Sequence, residues 1–94
     1  MTTLVITHAV ADYDAWKKVF DEHATSRREH GCLSEELFRS PDTAGLIMNV
    51  MRYRSRQAAE EFLADPSLRV AMSRAGVTGD PRIELWDTAQ TATF

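Results

Sequence analysis

The segment Leu46–Arg54, with the sequence LIMNVMRYR, is the most apolar of the strand-like stretches in this chain. Successive side chains of a β-strand point to opposite faces, so a strand with one face in water alternates apolar and polar residues. The apolar residues of this segment fall on both parities: Leu46, Ile47, Met48, Val50 and Met51. The pattern predicts a strand that is covered on both of its faces.

A second strand precedes this segment across a short turn. Residues Cys32–Ser40 (CLSEELFRS) form the predicted strand, and Pro41–Gly45 (PDTAG) forms the turn. Proline, aspartate and glycine supply the backbone conformations that tight turns require. The two strands are therefore predicted to pair as an antiparallel hairpin.

A strand and a helix are predicted before the hairpin. Leu4–Val10 is rich in β-branched residues, which favour a strand. Asp12 is a good N-cap, so a helix is expected from about Tyr13 to His30. Gly31 would close this helix in the left-handed region of backbone conformation.

Two helical pieces and a strand are predicted after the hairpin. Ser55 is the N-cap of a helix that runs to Pro66, and a second short helical piece ends at Gly76. Residues 77–81 (VTGDP) are expected to form a loop. Residues 82–87 (RIELWD) alternate in polarity and predict the fourth strand.

The predicted order is strand, helix, strand, strand, helix, strand. This is the split βαβ repeat of a ferredoxin-like α+β domain, with an antiparallel four-stranded sheet. Right-handed crossovers place the helical segments on one face of the sheet. A single domain is expected over residues 1–94, with residues 88–94 as a polar tail.

The helices of such a domain leave the second face of the sheet open. Since the strand at 46–54 is apolar on both parities, a second subunit lying over that face is the simplest explanation. Phe38, Leu85 or Trp86 would add to the contact surface. We therefore expect a homodimer that forms through the sheet face.

Composition argues against several classes of protein. The 94 residues include 11 basic and 14 acidic side chains, a net charge of −3, without the basic patch of a nucleic-acid binder. The single cysteine, Cys32, cannot form an intramolecular disulfide and has no second soft ligand for a zinc or iron–sulfur site. No apolar run approaches the ~18 residues of a membrane span, and the N-terminal stretch has no basic leader. No membrane partner and a cytoplasmic location are expected.

The first helix carries polar and aromatic residues on one stripe. Trp16, Phe20, His23 and Arg27 are spaced i, i+4, i+7 and i+11, which places them on one helical face. A stripe that packs on a sheet should be apolar, so His23 and Arg27 are predicted to line a pocket and bind an anionic ligand group together. Alternatively, Arg27 pairs with Glu35 or Glu84 or reaches water, and His23 packs in the core.

Two further polar residues interrupt predicted strands. His8 shares the parity of Leu4 and Ile6 and would act as a general base, because its ordinary pKa lies near neutral pH. Alternatively, it hydrogen-bonds a backbone carbonyl. Asn49 interrupts the most apolar strand, where it would orient a carbonyl or dioxygen, or else make a polar contact across a subunit interface.

Aromatic and methionine side chains suit a flat apolar ligand. Tyr13, Trp16, Phe20 and Trp86 would form an aromatic box, or else they are ordinary core residues. Methionines such as Met72 adapt their shape to a bulky ligand. No histidine pair at i, i+4 and no carboxylate cluster predicts a metal site.

Several motifs resemble one known superfamily. The chain carries DYDAW at 12–16 followed by Phe20, the closing Gly31, and AGVTGDP at 75–81 before the last strand. Together with the order of elements, these motifs resemble the dimeric α/β-barrel superfamily. More narrowly, they are similar to its small members related to antibiotic-biosynthesis monooxygenases and polyketide cyclases. The resemblance covers nearly the whole chain up to Asp87.

The resemblance implies a pocket between the helices and the sheet. The haem-degrading branch takes its iron ligand from a histidine in the second helical region, and residues 55–76 contain none. The cofactor-free oxygenase branch uses asparagine and tryptophan side chains near the pocket. Here Asn49 lies on the third predicted strand, and the tryptophans lie on the first helix and the fourth strand.

The sequence predicts a small-molecule enzyme with an apolar pocket. It would be a cofactor-independent monooxygenase or cyclase that acts on an aromatic or polyketide-type substrate. His8 or His23 would move a proton, while Arg27 and Asn49 would stabilise the resulting anion. One alternative is a non-catalytic ligand-binding or stress-associated homodimer, and another is a haem-binding protein that uses His8 or His23.

Overall fold

The strand at 46–54 lies in the interior of the sheet, and the helices of the chain cover one of its two faces. The computed structural model describes all residues, Met1–Phe94. Its sheet has four antiparallel strands in the order β2-β3-β1-β4. The elements are β1 (Thr2–Val10), α1 (Tyr13–Glu22), α2 (Ala24–Glu29), β2 (Cys32–Arg39), β3 (Leu46–Tyr53), α3 (Arg56–Ala64), α4 (Pro66–Arg74) and β4 (Val77–Asp87). The predicted ferredoxin-like α+β fold is confirmed.

Burial alternates along the two central strands. Every even-numbered residue of β1 is buried, and on β3 the buried residues are Ile47, Asn49, Met51 and Tyr53. These side chains face the helices. Met48 points to the opposite face and is 37% exposed.

The face away from the helices is uncovered within one chain, and we call it the open face. Phe38 pairs with Met48, and Trp86 pairs with Thr3, so all of them lie on this face. Leu85 pairs with Leu4 and packs against the core instead. The expectation that Leu85 extends the outer apolar surface is therefore wrong.

The predicted first helix is two helices with a break at His23. The His23 backbone has φ −86° and ψ 2°, and its N–H is shared between the carbonyls of Val19 and Phe20. No glycine or proline marks this point. The His23 side chain instead contacts Ser67 of α4, so a tertiary contact accompanies the break. Arg27 of α2, beyond the break, is buried.

The expected loop at residues 77–81 is part of β4, which corrects the strand boundary. Thr7 pairs with Arg82 and Ala9 with Thr78, so residues 79–81 bulge opposite His8. Gly79 adopts φ +70°, which suits the irregular backbone of a bulge. As a result, His8 has no paired residue on β4.

Local signals set the other boundaries. Asp12 caps α1 through Ala15 N–H, and Ser55 caps α3 through Ala58 N–H. Gly31 and Gly76 have φ of +95° and +79°, as their predicted position after a helix requires. No helix of the structure is long and apolar enough to span a membrane.

Two apolar clusters fill the space between the sheet and the helices. One is built on Leu4, Ile6, Met51, Tyr53, Ala58, Ala59, Phe62 and Leu68, and the other on Val10, Trp16, Ile47 and Ala75. His8 follows Ile6 and precedes Val10 on the buried parity of β1, and Asn49 lies between Ile47 and Met51 on β3. The two polar residues therefore sit where the apolar clusters meet.

Gly45 and Gly76 offer a matched test of backbone packing. Both have φ near +80°, but a Cβ on Gly45 would lie 2.5 Å from the carbonyl oxygen of Val10, whereas nothing lies within 4 Å of one on Gly76. We expect Gly76→Ala to lower the free energy of unfolding by about 1 kcal/mol and Gly45→Ala by about 2–3 kcal/mol. Urea denaturation measures both. Equal losses would contradict the close approach of Gly45 to β1.

Candidate active site

A cavity lies where the two apolar clusters meet. It takes in six of the eight predicted site residues: His8, Trp16, Phe20, His23, Arg27 and Asn49. Apolar side chains complete its walls: Ile6, Val19, Leu68, Ala71, Met72 and Ala75. Its volume is about 50 Å³, which is space for a few water molecules. The fold thus brings together polar groups that lie on β1, α1, α2 and β3.

His8 is the most isolated polar group of this cavity. The residue is 6% exposed, and neither Nδ1 nor Nε2 has a hydrogen-bond partner. The alternative of a bond to a backbone carbonyl is therefore not formed. Its ring packs 5.4 Å from the ring of Trp16, tilted by 58°. Burial lowers the pKa of His8 below 6.5, so the imidazole is neutral at pH 7 and has one free acceptor nitrogen.

Asn49 presents a second unpaired group to the same cavity. It is 4% exposed, and its Oδ1 has no partner. Asn49 pairs with Ile6, so it lies diagonally across from His8 on the neighbouring strand. Because it faces the helices, the alternative of a contact across the open face is wrong. Unpaired buried polar groups are costly, and a ligand or water in the cavity would satisfy them.

Arg27 interacts with side chains and a backbone carbonyl of its own chain. Its Nε lies 2.8 Å from Glu35 Oε1, and its guanidinium donates to Glu35 Oε2 at 3.2 Å and to the Phe20 carbonyl at 2.9 Å. The guanidinium carbon also lies 3.8 Å from the centre of the Phe20 ring. The pairing alternative with Glu35 is thus the arrangement found. Arg27 forms a wall of the cavity with its charge already balanced, so it is a weaker receptor for a ligand anion than a free guanidinium.

His23 is tied to α4 through one ring nitrogen. Its Nε2 lies 3.2 Å from Ser67 Oγ. Burial, and next the nearby charge of Arg27, lower the pKa of His23. His23 is therefore neutral at pH 7, with only its second nitrogen available to a ligand.

The contact between His23 and α4 depends on residues that the sequence analysis did not identify. Asp65 caps α4, accepting from the Ser67 backbone N–H at 2.9 Å and from His30 Nε2 at 2.8 Å. The hydrogen bond from His30 is the largest cause that lowers the pKa of Asp65 to about 2. Asp65 immediately before Pro66 is an N-cap signal that was available in the sequence. Its pairing with His30 was not.

The predicted aromatic box is reduced to two members. Trp16 and Phe20 stack with centroids 4.8 Å apart and form one wall. Tyr13 contacts Trp16 from outside the cavity and lies under the guanidinium of Arg39. Trp86 is on the open face and 57% exposed. Tyr13 and Trp86 therefore do not line this cavity.

Metal-ligating side chains are not clustered in the structure. No group of three or more His, Cys, Asp or Glu side chains lies close enough together to hold a metal ion. The space beside His8 is about 50 Å³, smaller than the ~150 Å³ of an apolar cavity that holds a single benzene ring.

The fold and the cavity define a small ferredoxin-like domain with buried polar groups in a mainly apolar pocket. Residues 6–74 match the antibiotic biosynthesis monooxygenase family, and the chain belongs to this family. The predicted resemblance is thereby confirmed. No curated protein matches the chain in sequence.

Solved structures of similar fold agree with this assignment. SnoaB, a cofactor-independent oxygenase from Streptomyces nogalater, is 21% identical, with a TM-score of 0.79 over 96% of this chain and 94% of SnoaB. A candidate antibiotic biosynthesis monooxygenase from Caulobacter crescentus is 25% identical, with a TM-score of 0.77 over 95% and 90%. Rv0793 from Mycobacterium tuberculosis is 24% identical, with a TM-score of 0.71 over 99% and 100%.

The Arg27–Glu35 pair predicts a large effect on stability. Arg27→Met would leave the Glu35 carboxylate without its partner, and we expect the free energy of unfolding to fall by about 2–3 kcal/mol. The double variant with Glu35→Met should lose less than Arg27→Met alone, because no charge is then stranded. Urea denaturation measures both. If Arg27→Met leaves the midpoint unchanged, the pair does not stabilise the fold.

Proposed function

We propose that this protein is a cofactor-independent enzyme for a small aromatic or polyketide-type molecule, and that His8 moves the proton. The observation that carries the proposal is the state of His8: a neutral, buried imidazole in the cavity with both nitrogens unpaired. A general base needs an accessible lone pair and a pKa near the working pH. His8 has an unpaired lone pair that borders the cavity, although both ring nitrogens are buried, and burial keeps its proton off at neutral pH.

The first step is a proton transfer. The substrate loses a proton from a phenolic oxygen or an acidic carbon, and His8 becomes the imidazolium. The negative charge stays on the substrate as a phenolate or enolate. Asn49 lies diagonally across from His8, and its amide can turn to present either its N–H₂ or its oxygen without changing shape. Donation from the amide N–H₂ would stabilise that anion.

Oxygenation and cyclisation both start from this anion. In oxygenation, a CH₂ group of the substrate becomes C=O, one atom of dioxygen enters the product, and the other leaves as water with both hydrogens. This balance needs no external reductant. In cyclisation, the carbanion adds to a carbonyl of the same molecule, and the proton returns from His8 to the new alkoxide. The family of the chain and the description of SnoaB as a cofactor-independent oxygenase support the first of these.

Arg27 has a different role in this proposal from the one expected from the sequence. Its charge is balanced by Glu35, so it supports the wall around Phe20 and leaves anion stabilisation mainly to Asn49. His23 is the second base candidate, with one nitrogen engaged by Ser67. The non-catalytic ligand-binding alternative uses the same cavity and differs only in showing no turnover.

We further propose that the protein forms a cytoplasmic homodimer through the open face. Phe38, Met48 and Trp86 are 44%, 37% and 57% exposed there, and their register places them on one side of the sheet. Exposed apolar surface of this kind is stabilised by a partner. The lone, unpaired Cys32 is compatible with a reducing compartment.

His8→Gln tests the catalytic proposal. With a hydroxylated aromatic ketone that carries an acidic CH₂ between two rings, oxygen uptake should fall about 100-fold or more, because the general base is lost. The parent rate should decline on acidification only below pH 6.5, since the active form is neutral His8 and its pKa is lowered. His23→Gln is the matched control and should keep most of the activity.

Two results would contradict this proposal. A folded His8→Gln protein with unchanged oxygen uptake would remove His8 from the reaction. Binding of such ketones to the parent protein, without oxygen uptake or cyclised product, would support the non-catalytic alternative.

Met48→Glu tests the homodimer. The parent should elute with about twice the chain mass of 10.6 kDa in size-exclusion chromatography with light scattering. A glutamate on the open face would be buried unpaired in the dimer, so Met48→Glu should give monomers. Val70→Glu is the matched control, since Val70 is 66% exposed on α4, and it should remain dimeric. A monomeric parent would end the proposal.

A further inference from the structure

A second space adjoins the cavity and shares a wall with it. A groove runs between α4 and β4, encloses about 500 Å³, and has Leu63, Val77 and Ile83 among its apolar walls. Leu68 and Met72 line both this groove and the cavity beside His8. The two spaces are therefore separated by those two side chains.

The cavity by itself is too small for the proposed ligand. It encloses about 50 Å³, whereas an apolar cavity that takes one benzene ring measures ~150 Å³. An aromatic molecule that reaches His8 therefore needs more room than this cavity alone offers. The groove supplies the missing volume on the other side of that wall.

Of the two shared side chains, Met72 is the one suited to move. Leu68 is 8% exposed and belongs to the larger core cluster. Met72 is only partly buried at the edge of that cluster, and an unbranched methionine changes shape through three rotatable bonds. Rotation of Met72 would join the cavity and the groove with little disturbance of the core.

We propose that the groove between α4 and β4 is the outer half of the ligand site and that Met72 is the movable wall between the halves. The ligand is a flat molecule of two or more fused rings, with a hydroxyl at one end. The hydroxylated ring lies beside His8 and Asn49, and the remaining rings lie along Ile83. This inference rests on the proposed function, because it assumes that the ligand reaches His8.

The groove offers both apolar and polar contacts to a ligand. Half of its lining residues are hydrophobic, and Arg69, Ser73 and Asp80 are among the others. Ile83 lies on the helix side of the sheet, opposite Ile6, yet it remains 45% exposed. A large apolar side chain that is this exposed on the covered face is one that a bound ring would shield from water.

Nuclear magnetic resonance of a tryptophan reporter tests the proposal. In ¹⁵N-labelled Trp86→Phe protein, the remaining indole N–H signal belongs to Trp16, which lines the cavity. The probes are phenol, which has one ring, and 2-naphthol, which has two. Both should shift this signal, and 2-naphthol should bind about tenfold more tightly, because its second ring buries apolar surface in the groove.

A charged substitution in the groove separates the two halves of the site. Ile83→Glu should raise the Kd for 2-naphthol about tenfold and that for phenol less than about twofold, since only the second ring meets the carboxylate. Val70→Glu introduces the same charge on α4 away from both spaces and should change neither Kd. Nuclear Overhauser contacts from 2-naphthol to the methyl groups of Met72 and Ile83 provide a measurement independent of the variants.

The outcomes distinguish this inference from the proposed function. If both probes shift the Trp16 signal but Ile83→Glu alters the two Kd values equally or not at all, the groove is not part of the site and the cavity proposal stands. The absence of contacts to Ile83 would overturn the inference in the same way. If neither probe shifts the Trp16 signal, the proposed function fails and this inference falls with it.

Discussion

The sheet has helices on one face only, and the arrangement of the site depends on that constraint. β1 and β3 lie at its centre, and their buried side chains pack in clusters with residues of α1, α3 and α4. A polar residue on this parity has no access to water unless the packing leaves a space. His8 and Asn49 are such residues, and a cavity lies over them. The same constraint leaves Phe38, Met48 and Trp86 uncovered on the other side.

The buried polar side chains of the cavity differ in whether the protein itself provides them with partners. Arg27 has its charge balanced by Glu35, and its guanidinium donates to Glu35 and to the Phe20 carbonyl, although its Nε, 2.8 Å from Glu35 Oε1, makes no well-aligned hydrogen bond. His8 and Asn49 are left with unpaired atoms in the same cavity. Buried polar groups that only stabilise a fold are normally paired, and those that act on a ligand must keep their lone pairs free. This contrast separates the structural side chain from the candidate catalytic ones.

The irregular features of the fold lie around the cavity. The helix break falls at His23, and the β4 bulge falls opposite His8. Bulges re-aim side chains and end regular pairing, which is why they occur beside functional sites. Arg27, on α2 beyond the break, is buried with its guanidinium over the Phe20 ring. Both irregularities therefore help to shape the site. No glycine or proline marks the helix break at His23.

The sequence by itself determined the order of elements, the hairpin and the helix caps at Asp12 and Ser55. It also determined that Gly31 and Gly76 end helices in the left-handed backbone conformation. Those signals are carried by residues within a few positions of one another, so they can be read locally. It also placed six of eight site residues at one cavity, because parity on a strand and spacing on a helix define a face.

Only the tertiary structure decided which residues of that face meet. In the folded protein, Arg27 pairs with Glu35 and Trp86 lies on the open face. Residues 77–81 belong to β4, and the cavity has a volume of about 50 Å³. These outcomes depend on register and on packing between segments that are distant in the chain. A one-residue change of register moves a side chain to the opposite face of the sheet, and no local pattern specifies that choice.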